Sequence, residues 1–433
     1  MLVCVLIALI TIISMVFSVL LKPYIKIGKK EVGLYWIICL VGAIFMLIFG
    51  AISPTSVING ITANSSVNPL KILTLFLSMT LLSVYLGDAG FFDYVADSVF
   101  LKSKGGTLKL FLILYLVVSV LTIFTSNDII ILTFTPPICI FAKKAKISPL
   151  PFLFGEFIAA NTWSMALIVG NPTNIYLAQS VGISFSEYLS VMILPAVFGG
   201  ITSLLVLLLV FRKQLSKPIN ADENVDNSVK ISKVQMIVAL CHLIVCILLL
   251  AFSDLLQVEM YLICLTLALS LTLFNLVYNA IKLKSISPVI KSLKKEPYEL
   301  IPFVLSMFVI VLALKQNGVT DILAKALTSN SKIDGLTFGA MSTLSANLLN
   351  NIPMSVLFEK IVAPNNLLAV YASIIGSNVG AFLTPVGALA GIMWSKILNK
   401  YDIEMPFSKF ALYGSIIAIP TLLSSVGTLI LVI

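Results

Sequence analysis

The sequence predicts an all-α protein that crosses a membrane many times. It is expected to be built as two inverted repeats, each of about five transmembrane helices plus one re-entrant hairpin and one broken helix. Three observations predict this. Of 433 residues, 59% are hydrophobic and only 11% are charged, where a soluble domain carries about a quarter charged residues. Apolar runs of about 20 residues, the length a helix needs to cross a bilayer core, fill the chain from end to end. Polar breaks then recur at matching places in the two halves. A mean hydropathy of +1.08 excludes a water-soluble enzyme, a nucleic-acid-binding protein and a disordered chain.

The first run, Met1 to Leu21, lacks a basic start and a small-residue cleavage site, so it reads as a span and not as a signal peptide. Further spans are expected over 32–52, 70–87, 150–180, 188–211, 234–252, 259–280, 299–316, 367–395 and 409–433. Two apolar segments, 107–142 and 336–361, are too long for one span and too short for two, and each has a polar break in its middle. Both read as hairpins that leave on the side they entered. The most polar stretch, 212–233, carries Asn220, Asp222, Glu223, Asn224, Asp226 and Asn227 and divides the chain almost in half. It reads as a cytoplasmic linker. The first repeat is then 1–211, with hairpin 107–142 and broken helix 150–180. The second is 234–433, with hairpin 336–361 and broken helix 367–395.

Charge orients this plan. With the N-terminus outside, most of the basic residues fall on one side, among them Lys143, Lys144, Arg212, Lys213, Lys294 and Lys295. That is the inside-positive signal, and it accounts for the net charge of +9 without an anionic partner other than lipid headgroups. Almost every basic residue is Lys, which suggests an AT-rich bacterial genome and an inner (plasma) membrane location. Five crossings per half is an odd number, so the second half is expected to sit upside down relative to the first.

The breaks carry the candidate chemistry. The first hairpin turns at Ser126-Asn127-Asp128 and continues to Pro136-Pro137; the second turns at Asn350-Asn351-Ile352-Pro353. Asn161 precedes Gly170-Asn171-Pro172-Thr173-Asn174, and Asn378 precedes Thr384-Pro385-Val386-Gly387. Broken backbone inside hydrocarbon is tolerated only where it is buried in protein or lines a wet cavity. Helix ends at such a break attract ions, and Asn offers both a donor and an acceptor. The expected site for a small polar solute and an ion is therefore Ser126, Asn127, Asp128, Asn161, Gly170, Asn171, Thr173, Asn174, Asn350, Asn351, Asn378, Thr384 and Gly387. A single buried Asn is more often helix–helix glue; four matched breaks favour a site.

Asp128, an intramembrane carboxylate, is a functional candidate, as carrier of a coupling proton or as a ligand for Na+ near Asn127 and Asp128. No other metal site and no cofactor are expected. Glu156 reads equally as a surface acid near the inner face or as part of a proton path, and Glu359 beside Lys360 as a surface charge. His242, alone on an apolar face, reads as a satisfied core histidine ahead of a proton site, and the six Cys, without a C-x-x-C pair, as small buried residues. One His excludes an H-E-x-x-H protease, and Tyr85-Leu86-Gly87-Asp88 lacks the companion acid an aspartyl protease needs. A channel would need one continuous polar pore. No P-loop is present, so ATP coupling would require a separate ATPase subunit.

These residues resemble the ion transporter superfamily, which includes arsenite efflux permeases, sodium/proton antiporters and citrate or dicarboxylate permeases. Gly170-Asn171-Pro172-Thr173-Asn174-Ile175 is similar to its Gly-Asp-Pro-Pro-Asn-Ile signature, departing at Asn171 and Thr173. Ser345 to Pro353 resembles the second hairpin motif. Ile375-Gly376-Ser377-Asn378-Val379-Gly380, with Leu383 to Ala390 and Trp394, resembles the arsenical pump membrane protein branch. Over roughly 70–433, the resemblance implies a scaffold, a mobile transport part, ion or proton coupling and a homodimer. It implies a secondary transporter, favouring efflux of arsenite or antimonite driven by protons or the membrane potential. The alternatives are a cation-coupled permease for small organic or inorganic anions, and a Na+/H+ antiporter. Asp128 would repel an anion, and tips reading Ser-Asn-Asp and Asn-Asn-Ile depart from the Ser-Asn-Thr of carboxylate binders.

Overall fold

The computed structural model describes residues 1–21, 24–27, 30–64, 68–102, 106–218, 231–329 and 331–433. The first half holds α1 (Leu2–Leu21), an antiparallel pair β1 (Tyr24–Ile27) and β2 (Lys30–Gly33), α2 (Leu34–Ile48), α3 (Pro54–Thr62), α4 (Pro69–Asp88) and α5 (Phe91–Lys102). It continues through α6 (Thr107–Phe124), α7 (Asn127–Lys144), α8 (Leu150–Trp163), α9 (Pro172–Ser180), α10 (Phe185–Val210) and α11 (Arg212–Leu215). The second half holds α12 (Lys233–Ala251), α13 (Ser253–Leu256), α14 (Met260–Lys282), α15 (Ser287–Leu293), α16 (Leu300–Gln316) and α17 (Val319–Leu327). It ends with α18 (Ile333–Leu349), α19 (Asn351–Ile361), α20 (Leu367–Gly380), α21 (Leu389–Lys400) and α22 (Phe407–Val432).

Local sequence explains where these helices start. Asn68 accepts from the amides of Leu70 and Lys71 ahead of Pro69, so α4 begins with a capped first turn. Ser184 and Glu187 form a capping box at the start of α10. Among the described residues, seven helices are long and apolar enough to span a membrane, or eight when α16 and α17, bent by 81°, are one span. The bend falls at Gly318, whose φ of +74° suits glycine.

The expected spans lie within a few residues of these helices. The segment 107–142 is the helix pair α6 and α7, parted at Thr125–Ser126, and 336–361 is the pair α18 and α19, parted at Asn350. The segment 150–180 is α8 and α9 joined by two short 3-10 turns, Ser164–Ala166 and Ile168–Gly170. The segment 367–395 is α20 and α21 joined by Pro385–Gly387, and it runs on to Lys400. Of the linker 212–233, Arg212–Leu215 is helical, and 219–230 lies outside the described residues. Unforeseen elements are the β pair, α3, α5, α15 and α17. All are short, and α5 and α17 mix apolar with acidic residues, so no long apolar run announces them.

The helices pack in matching pairs. α2 lies on α16 and α4 on α14; α7 lies on α21 and α9 on α19; α6 packs on α8 and α18 on α20. α10 and α22 pack against each other. At the junction of α8, α21 and α22, Phe157, Trp394 and Phe410 pack tilted and edge-to-face, with ring centroids 5.2 Å apart for Phe157–Trp394. α18 and α20 approach closely because Gly376 has no side chain. A Cβ there would stand 1.9 Å from Ser342 Oγ and 2.2 Å from the Gly339 carbonyl oxygen. Small residues at such crossings replace the hydrophobic drive that lipid removes.

Gly376→Ala should therefore force α18 and α20 apart and destabilise the chain by about 1–3 kcal/mol. Gly427→Ala, where no atom lies within 4 Å of the added carbon, should be neutral or slightly stabilising. Thermal unfolding in detergent checks both.

Candidate functional site

The two broken helices place their polar groups against each other. α8 stops at Trp163, and Gly170 allows the chain to fold back, since a Cβ there would stand 2.1 Å from the Ser164 carbonyl oxygen. Gly387 does the same in the second break, against the Gly380 carbonyl oxygen at 2.6 Å. Asn171 caps α9, accepting from the Thr173 amide and, at 3.2 Å, from its hydroxyl. Asn174 donates to the carbonyl oxygens of Ser164 and Leu167, at 2.9 and 3.1 Å, and so closes the first break.

Asn378 ties this break to the other half. Its Nδ2 donates to Asn174 Oδ1 at 2.8 Å and to the Ile374 carbonyl oxygen. Its Oδ1 accepts from Asn171 Nδ2 at 3.0 Å and from Ser164 Oγ at 2.9 Å. Ser164 Oγ also lies 2.9 Å from the Asn161 carbonyl oxygen. Asn161 Oδ1 in turn accepts from Asn127 Nδ2 at 3.0 Å. The polar thread therefore runs from the start of α7 to the end of α20, through residues that are at most 1% exposed.

The second break is bonded differently. Thr384 Oγ1 donates to Asn347 Oδ1 at 2.6 Å, and Asn347 donates to the Gly380 carbonyl oxygen. Asn350 Nδ2 donates to the Val386 carbonyl oxygen at 3.0 Å. No hydrogen bond among the described residues joins Asn350, Asn351 or Thr384 directly to Asn171 or Asn174. Ser126 caps α7 through the Ile129 amide. Ser164 and Asn347 are the participants the sequence reading left out. Asn347 stands one turn before Asn350, and Ser164 three residues after Asn161, so helical spacing could have found both.

Three buried carbonyl-type acceptors remain without a donor: Oδ1 of Asn127, Asn350 and Asn351. For Asn127 and Asn350 the amide orientation is set by neighbours. Asn350 gives its nitrogen to a backbone carbonyl, and Asn161, which does the same at Phe157, can only present oxygen to Asn127.

Asp128 faces elsewhere. It lines a cavity of about 1160 Å³ with Thr80, Ser83, Thr133, Pro136 and Leu389, whose mouth carries Lys294, Lys295 and Lys396. A second cleft, of about 430 Å³, lies around Asn64, Lys71, Gln179 and Glu259. The two cavities take opposite ends of α4. Between them Ile72, Phe76, Tyr176, Leu300, Val304 and Ile352 close on a void of about 20 Å³. Lys71 pairs with Glu259 at 2.7 Å at the smaller cleft.

Three readings of ionisable groups are settled by burial and contacts. Glu156 is no surface acid: it is 0% exposed and accepts from Thr135 Oγ1 at 2.8 Å. Glu359 and Lys360 pair at 2.7 Å with side chains 10% and 12% exposed, so Glu359 is an ion-pair partner and not a surface charge. Both residues are half-buried on α19, which packs against α9 and α16. His242 bonds to the Val238 carbonyl oxygen and to Ser270 Oγ but is only half-buried, so it is satisfied without being a core residue. Cys241 is the exposed thiol; the other five are buried.

Asn378→Ala should leave the Asn171 Nδ2 and the Asn174 Oδ1 each short of a buried partner, while Ser164 keeps the Asn161 carbonyl. At about 1–3 kcal/mol for every such group, the melting temperature in detergent should fall sharply. A change within about 2 °C would contradict this role for the amide.

Known proteins share this sequence and fold. The chain is 25% identical to the "Arsenical pump membrane protein" of Escherichia coli (strain K12) over 423 residues, covering 93% of this chain and 94% of that protein. It is 26% identical to the "Putative arsenical pump membrane protein" of Bacillus subtilis (strain 168) over 369 residues, covering 79% and 83%. The YdaH transporter of Alcanivorax borkumensis has the same fold, with a TM-score of 0.61 at 14% identity over 99% of this chain and 97% of that one. The chain is a transporter and not an enzyme. With the citrate transporter model (CitMHS) matching residues 24–366, the chain belongs to the citrate transporter family, as a multi-pass inner-membrane protein in contact with lipid and a small solute.

Proposed function

We propose that this transporter exports trivalent arsenic or antimony as neutral hydroxides, coupled to protons or to the membrane potential. The observation that carries the reading is the pair of bare acceptors on Asn127 and Asn350, with the adjacent Asn351 amide also short of a partner. Acceptors without donors suit a solute that brings hydroxyl groups, and they repel a carboxylate. The arsenical pump names of the E. coli and B. subtilis relatives agree with it. Asp128, in the cavity wall beside this thread, is the coupling group.

The same proposal makes 1–211 and 234–433 inverted repeats. Its support is the exchange symmetry of the packing: α7 on α21 answers α9 on α19, and α2 on α16 answers α14 on α4. The lysine-rich mouth is then cytoplasmic. The helix pairs and broken helices form the mobile part, and α4 and α16 belong to the scaffold. The resemblance adds a homodimer and leaves room for a separate ATPase subunit. A second reading, cation-coupled uptake of a small carboxylate, has the family description in its favour.

Everted vesicles holding the chain, with a pH gradient and no ATP, should accumulate arsenite, and an uncoupler should abolish the accumulation. Asp128→Asn should remove the dependence on the gradient. Uptake of citrate in place of arsenite would move the assignment to the second reading. A gradient dependence unchanged in Asp128→Asn would remove Asp128 from coupling.

A further inference from the structure

The segment between α15 and α16 holds a carboxylate that none of the roles above uses. Glu296 is 7% exposed, and neither of its carboxylate oxygens has a hydrogen-bond partner among the described residues. A buried, unpartnered acid is costly as an anion and calls for an explanation. Its neighbours are engaged. Asp88 of α4 pairs with Lys295 and accepts from Ser292. Glu299 accepts from the Gly33 amide and from the Tyr35 hydroxyl. Lys396 of α21 lies over the Tyr24 ring at 4.0 Å. Asp93 of α5, Lys294 and Tyr298 complete the ionisable groups around that mouth, with Tyr85 of α4 behind them.

Glu296 and Asp128 line the same cavity. Between them α4 presents Thr80 and Ser83, three residues apart and so on one helix face, and Thr80 Oγ1 has no partner. At about 1160 Å³ the space holds many waters, each taking about 30 Å³. We propose that Glu296 is the proton-exchanging group of the lysine-rich mouth, passing protons between Asp128 and the water on that side. In the step the Asp128 O–H bond breaks, the proton travels over water and hydroxyls, and a carboxylate oxygen of Glu296 takes it. Glu296 then gives it to bulk water, and nothing is oxidised or reduced. Burial pushes the Glu296 carboxyl up to about 8, so both of its forms are populated near neutral pH. The inference rests on Asp128 as the coupling group.

The test uses the full chain in everted vesicles with arsenite as the probe, comparing wild type, Glu296→Gln, Glu296→Asp and Asp128→Asn. Glu296→Gln should slow uptake driven by the pH gradient about tenfold. It should also remove the fall in driven rate expected of wild type as the pH at the mouth drops below about 8, where Glu296 is already protonated and cannot take the proton. Arsenite–arsenite exchange at equal pH should stay unchanged, and Glu296→Asp should restore most of the driven rate. Asp128→Asn losing driven uptake while Glu296→Gln matches wild type at every pH would overturn the relay alone. Loss of exchange together with driven uptake in Glu296→Gln would make the residue structural and also overturn the relay. Wild type that moves no arsenite, or Asp128→Asn that stays gradient-driven, would overturn the functional reading and the relay with it.

Discussion

A helix broken inside a membrane must find partners for its loose polar groups within the protein, because lipid offers none and each unmet group costs several kcal/mol. Here the Asn378 amide meets that demand at the centre of the molecule. It binds Ser164, Asn171 and Asn174 of the first broken helix while its own helix end is closed by Asn347 and Thr384. Without it the amides of Asn171 and Asn174 would lose their link to the second half. With it the two halves are joined by a buried polar contact that no apolar side chain could replace.

That joint leaves two kinds of polar group over. The amides that close the breaks have spent their nitrogens on carbonyls, so the oxygens of Asn127 and Asn350 remain as acceptors. Asp128 adds an acid facing the large cavity. In the proposed reading the chemistry left for a solute follows from how the breaks were stabilised, and it favours hydroxyl donors and cations over anions. The two cavities lie at opposite ends of α4, with Ile72, Phe76 and Tyr176 around the small void between them.

Much of the fold was legible because membrane burial imposes a simple code. Apolar runs set the spans, and each polar interruption fell at a real helix break: Ser126, Gly170, Asn350 and Thr384. Short amphipathic pieces such as α5 and α17 escaped, since their apolar and acidic residues cancel over a span-length window. The polar residues at the breaks were legible as residues, and their hydrogen-bond partners were not. Asn161 and Asn378 occupy like positions, each donating to the carbonyl four residues back. Yet one reaches the start of its own hairpin and the other reaches across to the opposite half. Adjacent tip residues also part company: Asn127 turns into the thread and Asp128 into the cavity, as a rotation of about 100° per residue requires. Partners hundreds of residues away are set by packing, which local spacing does not encode.

A transporter with a mobile part, as proposed, reaches its solute site from opposite sides in turn, here through the large cavity and through the smaller cleft. With the six native cysteines replaced, single cysteines at Thr133 and at Gln179, which line the two spaces, can be labelled with a membrane-impermeant maleimide from either side. Saturating arsenite under a pH gradient should change the two labelling rates in opposite directions. Rates that rise or fall together would contradict alternating access and point to a continuous pore.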